Sequence, residues 1–182
     1  MLNRTQNKSW FVICLRILIL LVSISFCAAP TFADDESTER ENKIKIAYLF
    51  HFGQFIEWAV KSPAFNYCVY NDNSFSQLLK QAYSGKKLGN LQVDVMNVTD
   101  KSNVDNCQIL YFPNAISTDL LAQIHKKPIL SVGSQKNILE QGIIYLFEDE
   151  QKIHFYINNK NALESSLKIS SQLLALSKDF PQ

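Results

Sequence analysis

The chain is short of the residues that most enzyme sites are built from. Its five glycines are too few and too scattered to write a dinucleotide-binding loop. Residues 84–89 (SGKKLG) lack the earlier glycine and the closing Ser or Thr of a phosphate-binding loop, so they read as a turn. No Gly-x-Ser-x-Gly is present, which removes the nucleophile elbow of the α/β-hydrolases. His51, His125 and His154 are scattered without ligand spacing, so neither zinc nor another metal is expected. No Cys-x-x-Cys pair occurs, which argues against thiol redox catalysis. The acidic run Glu148, Asp149, Glu150 reads as a solvated turn rather than a cation site. What is left is a binding module, with no enzymatic activity and no cofactor expected.

The first 33 residues, in contrast, carry a strong signal. Arg4 and Lys8 open the chain, an apolar run extends from Trp10 to Phe26 with a break at Arg16, and small residues end in Thr31, Phe32 and Ala33. Basic, apolar, then small-x-Ala is the order of a secretory signal peptide. A membrane anchor is the rival, but the uninterrupted apolar core, residues 17–22, is far short of the roughly 20 residues that span a bilayer. Lipidation at Cys27 is disfavoured by bulky Phe26 before it. Cleavage is expected after Ala33, which exports the rest.

Losing the leader removes Arg4, Lys8 and Arg16 but no acidic residue, taking the formal charge from +1 to −2. Such a chain has no electrostatic footprint for nucleic acid. Cys14 and Cys27 leave too, so Cys68 and Cys107 remain, and two cysteines in an oxidising compartment normally pair. Two separate buried thiols are the alternative. A mature chain of this size buries roughly two-thirds of its unfolded surface, enough for one core.

Residues 34–42 (DDESTEREN) lack periodicity and read as a charged tether or a frayed helix start. Residues 43–61 (KIKIAYLFHFGQFIEWAVK) keep helical spacing and are apolar over most of the circumference, so this helix is either central to the core or covered by a second chain. Pro63 ends it. Short strands at 67–70, 91–98, 107–112 and 129–132 then alternate with helices at 75–83 and 120–125. Residues 143–158 read as an antiparallel hairpin turning at Glu148 to Gln151, and a final helix runs from Asn161 to Asp179. The expected fold is α/β, a single domain with a mostly parallel sheet flanked by helices, a C-terminal hairpin and a helix. Right-handed winding places the strand of Cys68 beside that of Cys107, both cysteines near their strand starts and within bonding range.

This order of segments resembles the YfiR family of periplasmic proteins, from about Lys43 to Ser177. The motif IAYLFHFGQFIEWA resembles the family's opening helix, with Tyr48, Phe52, Phe55, Glu57 and Trp58 in register. Cys68 and Cys107 match its disulfide pair, and FYIN followed by LKISSQLLALS resembles its closing strand and helix. Three positions depart: Ala59 replaces a proline after the tryptophan, Glu150 and Gln151 replace Gly or Asn in the hairpin turn, and Tyr156 replaces an acidic residue. The resemblance implies a domain over 43–180 that forms homodimers. It also implies binding to the periplasmic domain of an inner-membrane diguanylate cyclase, holding it inactive, and release when an outer-membrane YfiB-like lipoprotein sequesters the repressor. Cyclic di-GMP and biofilm growth follow.

Two functions remain open on this basis. For a protein-binding repressor, the expected contacts are Phe52, Phe55 and Trp58, with plain packing on the sheet as the alternative and Trp58 the best placed for exposure. For a small-ligand sensor, the expected site lies at the carboxyl ends of the strands.

Overall fold

A computed structural model of the protein describes residues 33–58 and 63–179. The expected leader therefore lies outside the described residues, Ala33 apart. The chain divides into two units, Met1–Thr38 and Glu39–Gln182, and the fold below is that of the second, apart from residues 33–38 of its opening helix, which belong to the first.

The first helix, α1, runs Ala33–Gln54. Residues 34–42, expected as a tether or frayed start, are thus its first half. Glu39 with Lys43 (2.6 Å) and Glu41 with Lys45 (2.5 Å) form i,i+4 pairs in the favourable orientation, which supports a helix where apolar periodicity is missing. Lys43 also holds the Glu39 carboxyl below its usual range.

The other end of α1 corrects the sequence reading. The helix stops at Gln54, well short of residue 61, and Ile56–Glu57 form a short strand, β1. Periodicity does continue through FIEWAVK, but aromatic and β-branched residues also suit a strand. What decides is a distant partner: Ile56 and Glu57 pair antiparallel with Ile169 and Lys168 of β9 (Lys168–Ile169). Ser170 N adds a hydrogen bond to Phe55 O (3.0 Å).

Seven strands form the main sheet: β2 (Ala64–Tyr70), β3 (Lys87–Leu88), β4 (Leu91–Val98), β5 (Ile109–Phe112), β6 (Leu130–Gly133), β7 (Ile144–Asp149) and β8 (Lys152–Ile157). Their order is β3-β4-β2-β5-β6-β7-β8, parallel from β4 to β7 and antiparallel at both edges. The chain connects these strands through α2 (Asn73–Ala82), α3 (Thr118–Ile124) and α4 (Ile138–Gln141). This is the mostly parallel α/β arrangement that the alternating segments predict.

Central strands are buried on both faces, so they read as near-continuous apolar runs. Phe65, Tyr67, Val69, Ile109 and Tyr111 face one core, shared with Leu49 and Phe52 of α1 and with Phe75 and Leu79 of α2. Cys68, Tyr70, Leu110 and Phe112 face the other, shared with α3 and α4. Burial pushes the phenols of Tyr67, Tyr83 and Tyr111 upward, and each stays protonated at neutral pH. Two of them tie α1 down: Tyr67 Oη donates to Leu49 O (3.3 Å) and Tyr83 Oη to Ile46 O (2.6 Å).

Cys68 and Cys107 form the expected disulfide, with Cα atoms 5.8 Å apart, between β2 and the segment leading into the adjacent parallel strand β5. Their positions differ from the expectation of strand starts. Strand β2 begins at Ala64, so Cys68 sits in its second half, and Cys107 lies just ahead of β5. The bond fastens the loop between β4 and β5 under the second core.

The closing helix also differs. It is divided into α5 (Asn159–Glu164), β9 and α6 (Ser171–Leu176). Leucine spacing suggested one amphipathic helix, yet Leu163 and Leu176 are exposed while Leu167 is buried. Ser166 turns the chain with a left-handed φ of 58°, so that β9 reaches β1 and Ser170 caps α6. The hairpin is as expected, and Glu150 and Gln151 both adopt positive φ (48° and 62°). Two-residue hairpin turns favour that geometry even where, as here, neither residue is Gly or Asn.

Candidate functional site

Because α1 ends early, the three aromatic residues expected at a partner surface have three different environments. Phe52 is 0% exposed, with its ring 5.3 Å from Phe155 and 5.9 Å from Tyr48. It packs on the sheet, the alternative weighed for it above. Phe55 and Trp58 are half-buried, beyond the helix and on either side of β1. Phe55 lies 6.2 Å from the ring of exposed His51. Trp58 meets Phe65 edge-on at 5.1 Å, and its Nε1 donates to Gly53 O (2.8 Å).

That indole hydrogen bond explains part of the helix stop. The last carbonyls of a helix have no partner within it, and an outside donor that reaches one stabilises the end. Gly53 is required by its surroundings rather than by its own conformation. A Cβ there would stand 2.5 Å from Tyr67 Oη and 2.7 Å from Leu88 Cδ1. Only glycine lets α1 lie this close to β2 and β3, so Phe52, Gly53 and Trp58 act together to seat the helix end.

Beside Trp58 is an open cleft of about 520 Å³, lined by the end of α1, the start of β2 and the β3–β4 turn. It lies at the amino ends of β2 and β4. The carboxyl ends, where a ligand site was expected, hold a set of polar groups already occupied with each other. Asp72 Oδ1 accepts from Phe75 N (2.8 Å) to cap α2, and its Oδ2 accepts from Asn114 Nδ2 (2.9 Å). Ser117 caps α3 and donates to Asp100 (2.6 Å), which also accepts from Tyr70 Oη (3.1 Å). Burial and then the Asp100 carboxylate hold the Tyr70 phenol above its usual range. These contacts start helices and close loops. Sequence reasoning missed the Trp58 cleft because its walls come from three segments that only the fold brings together.

Among the described residues, no three of His, Cys, Asp and Glu converge to hold a metal ion. Also among the described residues, no helix is long and apolar enough to cross a membrane. No curated protein matches the sequence. A family described as YfiR/HmsC-like matches residues 42–178, every element above except the first half of α1. That match spans well over half of the chain, and the protein belongs to the YfiR/HmsC-like family.

Proposed function

We propose that the protein is a periplasmic regulator that binds and restrains a membrane diguanylate cyclase and does no chemistry itself. The observation that carries this reading is membership of the YfiR/HmsC-like family over 42–178. Export follows from the signal-peptide pattern of residues 1–33, with Ala33 the last residue removed. The periplasmic domain of the cyclase is the partner, and a YfiB-like outer-membrane lipoprotein is the candidate that relieves repression.

Phe55 and Trp58 are the contact residues in this reading, because they keep aromatic surface at the accessible end of α1 while Phe52 does not. Large aromatics at the centre of an interface commonly supply most of its binding energy. Homodimerisation fits the outward strip of α1, where exposed Ala47 stands beside half-buried Ile44 and Tyr48. An apolar strip left on a helix that already fills one core is suited to a second chain.

Trp58→Ala tests the contact. The variant is expected to fold, with unchanged far-ultraviolet circular dichroism, and to raise cellular cyclic di-GMP toward the level of a strain lacking the gene. Trp58→Phe, which keeps a ring against Phe65, should be intermediate. A folded Trp58→Ala that represses as well as wild type would remove Trp58 from the interface.

A further inference from the structure

We infer that the cleft beside Trp58 binds a small monoanion with an apolar body, of the class of medium-chain carboxylates. The volume of about 520 Å³ is within the roughly 300–1,000 Å³ of small-molecule sites. Trp58 and Leu91 give it apolar surface with Ile56, Phe65 and Leu88 buried behind them, Gln54 and Asn90 give it polar surface, and Lys87 is the one charged residue among the described lining residues. Amines and amino-acid zwitterions are disfavoured, since the described lining holds no carboxylate to receive an ammonium group.

The end of α1 brings an opposing field, because a helix C-terminus carries roughly half a negative charge. That field is weakened here: Trp58 Nε1 occupies the Gly53 carbonyl, and the Lys87 ammonium is a full charge. The net preference is for an anion. Apolar atoms would cover the half-buried face of Trp58, with the carboxylate directed to Lys87 at the rim. Among the described lining residues Lys87 is the cation that serves the cleft, and its neighbour Lys86 is held separately, 4.8 Å over the Phe50 ring.

The inference stands on the cleft alone and not on the cyclase reading, since binding is measured on the isolated chain. Octanoate, 1-octanol and octylammonium share one apolar body and differ in head-group charge. Titrated into the full chain and followed by tryptophan emission, octanoate should bind tightest and octylammonium weakest. Trp58→Phe should abolish the signal, which separates it from Trp10. Lys87→Glu, at an exposed position and checked for an unchanged circular dichroism spectrum, should weaken octanoate at least fivefold and strengthen octylammonium. Lys101→Glu, placed outside the cleft lining, should change neither. Equal affinity for all three probes, or an unchanged octanoate affinity in Lys87→Glu, would overturn the proposal.

Discussion

Replacing Cys68 and Cys107 together by alanine is expected to lower the melting temperature by about 10 °C. The bond closes a loop with a sequence separation of 39 residues. On the chain-entropy model this restricts the denatured state by about 4 kcal/mol. For a domain of this size each kcal/mol corresponds to roughly 2–4 °C. Both cysteines are buried, and the bond links β2 to the irregular segment before β5, where no helix makes the connection. Alanine is the better replacement than serine, because a buried hydroxyl without a partner adds its own penalty. Reduction of the wild type should shift the transition in the same direction. A double variant that melts within about 2 °C of wild type would show that the bond contributes little. Two titratable thiols in the natively purified protein would show that it does not form.

Phe52→Ala should be comparably damaging, costing about 3–5 kcal/mol as large aromatic-to-alanine changes in cores do. Its ring touches Tyr48 and Phe155, so the cavity would open between α1 and the far end of the sheet. Urea denaturation measures this directly. Trp58→Ala should cost less than half as much, since that side chain is half-buried and loses one hydrogen bond and one edge contact. The contrast separates a core aromatic from a surface one on the same short motif. A Phe52→Ala variant as stable as wild type, yet unable to control cyclic di-GMP, would return Phe52 to the contact surface.

Local patterns carried much of the fold. The alternation LQVDVMNV gives β4 its observed bounds, Leu91–Val98. Asp72 stands where a cap is needed, and α2 begins at Asn73. Counting cysteines after an assumed leader cleavage gave the correct disulfide. The misreadings share one physical origin. Residues 55–58 and 165–170 both continue a helical pattern, and both leave the helix because β1 and β9 find each other across more than a hundred residues. No local signal encodes that pairing. Gly53 marks something different: its close approach to Tyr67 and Leu88 fixes where the end of α1 can run.

The candidate surface was legible only in part for the same reason. Reading 43–61 as one helix put Phe52, Phe55 and Trp58 on a shared element, whereas the break at Gln54 buries the first and leaves the other two near the surface. Tyr156, which replaces an acidic residue of the family pattern, packs against the ring of Phe147 at 4.5 Å. The half-buried Tyr156 packs against the second core, a contact that an acidic side chain would not make.

The most direct test of the regulatory reading is cellular cyclic di-GMP after deletion of the gene. A repressor of a diguanylate cyclase predicts a rise in cyclic di-GMP and in biofilm, reversed when the wild-type chain is supplied in trans. Unchanged cyclic di-GMP and unchanged biofilm in the deletion strain would contradict it.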